Sequence, residues 1–154
     1  SSDVCSSDLA EIISKLVVAK QVSDVHTNQF FMMLVAQLLE SYDLDAHIEK
    51  VCALYRSKRD HMLAAMQRHL AGKAHWNVPD GGLLSWMELP EGRDGTELCR
   101  LLTANKVAAV PGAAFMPDER AISPGLRLNF SLPALEQIDA GVEIMGRCLD
   151  QYLK

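Results

Sequence analysis

Leu126-Arg127-Leu128-Asn129-Phe130-Ser131 is the stretch that decides how this chain is read. Successive side chains on a strand point to opposite faces. Leu126, Leu128 and Phe130 therefore share one face, and Arg127, Asn129 and Ser131 share the other. The alternation predicts a half-buried strand over residues 126–131. It also sets a guanidinium on a stiff base among core side chains. A planar fork in that position can meet a carboxylate through two parallel hydrogen bonds. By spacing alone, a surface arginine on the wet side of a sheet is the more ordinary reading.

Helical periods surround this strand. Downstream, Pro133 sets the first turn of a helix with the stripe Leu135, Ile138, Val142, Met145, Leu149 and Leu153. Upstream, residues 107–110 read as a short buried strand, and Pro111-Gly112-Ala113-Ala114-Phe115 as a tight structural loop. That loop has the small residues of a phosphate loop but lacks its Gly-Lys-Ser/Thr ending. Asp94-Gly95-Thr96-Glu97 has the form of a capping box and opens a helix reaching about Asn105. Residues 76–78 and 83–89 read as strands joined by the turn Pro79-Asp80-Gly81-Gly82. Before them, Asp43 or Asp45 caps a helix over about residues 45–71, ended by Gly72. Residues 10–21 and 30–39 are two further helices, the second apolar nearly all round. Such a helix needs burial on most sides, which suggests a missing neighbour or a dimer surface. The second half thus alternates strands and helices, an α/β pattern.

Composition bounds the function. The 154 residues are 49% hydrophobic and 23% charged, one domain's worth with a packed core. Fifteen Lys and Arg against twenty Asp and Glu give a formal charge of −5, which argues against a dominant nucleic-acid surface. The basic side chains Arg56, Lys58, Arg59, Arg68 and Lys73 cluster on one helix and read as a solvated face. The longest near-continuous apolar run, residues 30–39, is half of the ~20 residues a bilayer span needs. No basic flank leads into an apolar core at the start, so no secretory signal is expected. Cys5, Cys52, Cys99 and Cys148 form no CxxC pair and read as reduced thiols of a cytoplasmic protein. Residues 1–9 repeat Ser-Ser-Asp at 1–3 and 6–8, and read as a non-native scar. His26, His47, His61, His69 and His75 show no metal spacing, and no GxSxG elbow is present. The methionines fall on apolar segments and read as core filler.

Several segments together resemble the C-terminal part of a pyridoxal-phosphate-dependent aminotransferase of fold type I. The resemblance is to the branch holding 2-aminoadipate and kynurenine-type enzymes. It is carried by His47-Ile48-Glu49-Lys50-Val51 through Tyr55-Arg56-Ser57-Lys58-Arg59-Asp60, and by Pro79-Asp80-Gly81-Gly82-Leu83-Leu84-Ser85-Trp86. Val110-Pro111-Gly112-Ala113-Ala114-Phe115 and the Arg127 strand continue it in register.

The resemblance implies that residues 10–45 are the tail of a large cofactor-binding domain. Residues 46–154 would be the small C-terminal domain, with 46–71 as its bridging helix. It implies that Arg127 holds the α-carboxylate of an amino-acid substrate, with Asn129 and Ser131 on the same face as support. His26-Thr27-Asn28 would fall near a partner subunit's active site, in a homodimer. The cofactor would be pyridoxal 5'-phosphate and the reaction a ping-pong amino transfer from an α-amino acid to a 2-oxo acid. The family's covalent lysine lies in a Ser-x-Ser-Lys-like loop, and no lysine here has that context: Ser14-Lys15 and Ser57-Lys58 sit in helical patterns. The chain alone is therefore expected to be inactive, with no catalytic and no cofactor-binding residue of its own. Two other readings stand beside this one. One is the aminotransferase-like sensing domain of a winged-helix transcription regulator, which would meet nucleic acid only through a domain upstream. The other is a stand-alone α/β binding module.

Overall fold

The computed structural model describes residues 9–118 and 121–154. The scar expected over residues 1–9 lies, apart from Leu9, outside them, as does Cys5. The chain divides into two compact units between His47 and Ile48.

The first unit holds α1 (Ala10–Ser23) and α2 (Gln29–Ser41), and the start of α3 (Leu44–Leu70). Asn28 starts α2 by accepting from Phe31 N at 3.3 Å, which meets one of the orphan donors of a helix start. Asp43 does the same for α3, accepting from Ala46 N at 2.9 Å. The large apolar side chains of α2 are exposed, Phe30 at 68% and Leu38 at 54%. The burial expected from their pattern is not supplied by the described residues.

The second unit continues α3 and adds β1 (His75–Trp76), β2 (Leu84–Glu88), α4 (Gly95–Ala104), β3 (Val110–Pro111), β4 (Gly125–Asn129) and α5 (Leu135–Tyr152). The four strands form one antiparallel sheet in the order β1-β2-β4-β3. The predicted alternation holds: Leu126, Leu128 and Phe130 are buried, while Arg127 is half-buried and Asn129 exposed. The buried face carries Met87, Leu126, Leu128 and Phe130 into a core with Met66 and Leu70 of α3, Leu98 and Leu102 of α4, and Val142 and Leu149 of α5. Helices thus cover one face of the sheet. The other face, with Trp86, Arg127 and Asn129, has no helix among the core residues above it.

Some expectations change. The strand expected at 107–110 is reduced to two residues, because β4 offers it only Arg127 and Leu126 as partners. The loop after it is a single tight 3-10 turn, Gly112–Phe115. Asp94 caps α4 through Thr96 N at 2.8 Å, but Glu97 does not complete a capping box. Its carboxylate accepts instead from Tyr152 Oη at 3.2 Å. The basic side chains on and just after α3 are solvated only in part: Arg56 and Arg68 are exposed as expected, while Lys58, Arg59 and Lys73 are half-buried and reach acceptors that charge counting cannot reveal. Lys58 Nζ donates to Ser131 O at 2.7 Å, and Arg59 to Pro79 O at 3.0 Å. Arg68 pairs with Asp139, and Lys73 with Asp150, both at 2.7 Å. The methionines divide: Met62, Met66, Met87 and Met145 fill the core, while Met32, Met33 and Met116 are exposed.

Candidate functional site

Arg127 sits in the middle of β4, with Trp86 of β2 and Val110 of β3 as its cross-strand partners. Partners directly opposite on antiparallel strands share a face. The two neighbours flank the arginine and limit where its stem can swing. Its Cζ lies over the Phe115 ring, 4.9 Å from the centroid. Phe115 in turn meets Trp86 edge-on, with centroids 6.0 Å apart and planes at 64°. Trp86 Nε1 donates to Glu88 Oε1 at 3.1 Å.

No hydrogen-bond acceptor or carboxylate meets the Arg127 guanidinium among the described residues. The other half-buried arginines there are satisfied. Arg59 has Pro79 O and Asp60, and Arg93 has the carbonyls of Tyr152 and Leu153. Burying part of a charge without a partner is unfavourable, so a half-buried free cation is a place where an anion binds well. A guanidinium held over a ring through its charge spends no N–H hydrogen bond on it and keeps those donors for a carboxylate.

Asn129 does not bond to Arg127. Its Oδ1 accepts from Ser131 N and Ser131 Oγ, both at 2.8 Å. The direct support expected from Asn129 and Ser131 is replaced by this mutual pair, because a turn at the strand end brings them together. Phe115 and Trp86 touch the arginine's surroundings instead, and sequence reasoning missed both. Cavities of about 210 and 560 Å³ flank the end of β4, and Arg127 lines neither. Tyr55, Arg56, Arg59, Gly81 and Gly82 line the smaller one, and Gly82 has a φ of +78° that suits glycine in that turn.

Similarity to known proteins covers nearly the whole chain. No family model matches the chain. It is 37% identical over 143 residues to the 2-aminoadipate transaminase of Thermus thermophilus, covering 93% of this chain and 36% of that protein. It is 34% identical over 142 residues to an aromatic-amino-acid aminotransferase of Thermococcus litoralis, covering 92% of this chain and 34% of that protein. The crystal structure of an α-aminoadipate aminotransferase from Thermus thermophilus superposes with a TM-score of 0.80 at 36% identity, over 93% of this chain and 36% of that one. The chain corresponds to a C-terminal part of pyridoxal-phosphate-dependent aminotransferases of fold type I. It spans about a third of the length of the curated relatives it matches. A weaker match, 29% identical over 129 residues, is to the HTH-type transcriptional regulator NorG of Staphylococcus aureus.

The family's cofactor is pyridoxal phosphate, and the Thermus structure carries a phosphopyridoxyl-leucine adduct. The residues of this chain do not fit a complete site for that group. Lys58 and Lys73 are held by Ser131 O and Asp150, and Lys106 lines the larger cavity among apolar side chains. The described residues also contain no group of three His, Cys, Asp or Glu able to hold a metal ion.

Burial, charge and hydrogen bonding shift four groups, Cys99, Asp139, Cys148 and Tyr152, of which two matter here. Burial, helped by the Asp94 charge, pushes the Cys99 thiol up to about 11. The hydrogen bond from His61 at 2.9 Å, with the charges of His61 and Arg68, holds the Asp139 carboxyl below its usual range.

Proposed function

We propose that this chain supplies the substrate-carboxylate side of an aminotransferase active site. The complete enzyme moves an amino group from an α-amino acid to a 2-oxo acid with pyridoxal phosphate. The guanidinium of half-buried Arg127, which meets no acceptor among the described residues, carries the reading. Its role is to grip the α-carboxylate by two parallel hydrogen bonds and so fix which way the α-hydrogen points. That is a positioning effect, and effects of this kind can lower a barrier by several kcal/mol. The hard chemistry is the cofactor's. The rest of the active site comes from the family portions that this chain does not match.

In this reading, residues 10–45 are the tail of the large domain and 46–154 the small domain, with 46–71 bridging them. The division between His47 and Ile48 supports that assignment. Asn129 serves Arg127 at one remove, by tying the end of β4 to Ser131. A homodimer in cytoplasmic amino acid metabolism completes the picture. Support for the compartment comes from the free Cys52, Cys99 and Cys148, which suit a reducing environment. The regulator reading rests on the weaker NorG match.

The test is Arg127→Lys in the full-length enzyme. The expected result is a raised KM and a lowered kcat/KM for α-amino acids, since a lysine cannot reproduce the fork. Unchanged kinetics remove Arg127 from the site. The 154-residue chain with added pyridoxal phosphate should show no transamination, and borohydride treatment should leave no cofactor-labelled lysine. A labelled lysine found by mass spectrometry would overturn that.

A further inference from the structure

Phe115 is a large apolar side chain that does little for the core. It is 50% exposed and lies outside the buried cluster. Yet its position is held from two sides. Its backbone closes the 3-10 turn that follows β3, with Met116 N donating back to Ala113 O at 3.1 Å. Strand β3 is itself paired to β4 at Val110↔Arg127 and Pro111↔Leu126, so the turn starts beside the arginine. Its ring is met edge-on by Trp86, which Glu88 anchors through the indole N–H. Gly125 leaves room for that indole: a Cβ there would sit 2.7 Å from Trp86 Cε2 and 3.0 Å from Cη2. A main-chain turn, an indole and a missing Cβ thus converge on one exposed ring. What that ring touches is the guanidinium of Arg127.

We propose that Phe115 is a positioning residue for Arg127. Its ring carries the flat of the guanidinium and so aims the N–H fork at the substrate carboxylate, with Trp86 fixing the ring. The inference rests on the carboxylate reading of Arg127. A face contact within ~6 Å satisfies the ring's attraction for a cation without using any N–H. The five donors lie in the guanidinium plane, so a ring beneath that plane sets the direction of the fork. The ring therefore does for Arg127 what a carboxylate partner would do, and leaves the charge free for the ligand.

The experiment is a double-mutant cycle in the full-length enzyme with Phe115→Leu, Arg127→Lys and the pair. The readouts are KM and kcat for an α-amino acid, KM for a primary amine with no carboxylate, and the inhibition constant of a carboxylic acid with no amino group. Phe115→Leu should raise the amino-acid KM and the inhibition constant by about two- to five-fold, the range of an exposed cation–ring contact. It should leave the KM of the amine within a factor of about two. Phe115→Tyr should restore both. In the Arg127→Lys background the same substitution should add less, because an ammonium has no plane to aim. If Arg127→Lys leaves the amino-acid KM unchanged, the carboxylate reading itself fails and takes this inference with it. If Arg127→Lys raises KM while Phe115→Leu does nothing, shifts the amine equally, or adds the same factor in both backgrounds, the ring's role is refuted and the carboxylate reading stands. Phe115→Met, which keeps apolar bulk without a ring, takes the place of Phe115→Leu should that variant fold poorly.

Discussion

Gly125→Ala is the sharpest probe of how the sheet face is assembled. A Cβ at residue 125 would overlap Trp86 Cζ2 and lie 2.7 Å from Cε2. Carbon pairs settle at about 3.5–4.0 Å, so the indole must retreat by roughly an ångström or more. The retreat strains the 3.1 Å bond from Trp86 Nε1 to Glu88 and opens the edge contact with Phe115. Overpacking of this kind costs about 1–3 kcal/mol. Trp86 is only half-buried and can swing outward, which places the expected loss at the lower end, about 1–2 kcal/mol. Urea unfolding followed by far-ultraviolet circular dichroism measures it. Far-ultraviolet detection is needed because the companion variant removes a tryptophan. In a Trp86→Ala background the clash has no partner. Gly125 has no positive φ, so there Gly125→Ala should be neutral, or stabilising by up to about 1 kcal/mol through the unfolded chain. An equal cost in both backgrounds, or none in the parent chain, would refute the close approach of Gly125 and Trp86, and with it the account of what holds Phe115.

Three further outcomes are expected. Asp139 is held ionised by His61 and Arg68, so its folded value lies below the ordinary 3.8. Its contribution is present above that value and lost as the pH falls through the lower folded one, and Asp139→Asn should flatten this acid limb in melting curves recorded across it. Met66→Ala should cost about 2–5 kcal/mol in urea unfolding, since Met66 is fully buried between α3 and the sheet. Iodoacetamide at mildly alkaline pH should label exposed Cys52 well before buried Cys99, whose thiol stays protonated up to about 11, and peptide mapping would show any reversal of that order.

Much of the second unit was legible because period-two and period-3.6 patterns report burial directly. The alternation in residues 126–131 named the buried face of β4 and the exposed side of Arg127 before any coordinates. Gly72 and Asp43 bounded α3 through the chemistry of helix ends. The environment of Arg127 was not legible. Phe115 lies twelve positions upstream in a segment of small residues, and nothing local says that its ring returns over the arginine. That contact depends on the pairing of β3 with β4, a long-range event. The basic side chains of α3 misled for a related reason. Their acceptors include the main-chain carbonyls of Pro79 and Ser131, which every sequence possesses and no composition reveals. The capping box at Asp94 failed in its second half because the Asp94 N–H donates to Tyr152 Oη, at the far end of α5, rather than to Glu97.

The rims of the sheet have a consequence of their own. Both outermost strands, β1 and β3, are two residues long, and Pro111 on one of them lacks an N–H. A foreign strand arriving at either rim finds too few free main-chain groups to zip onto, so end-to-end growth into fibrils is blocked at the start. Association with other polypeptide is then left to side-chain surfaces rather than strand rims, the exposed apolar side chains of α2 among them.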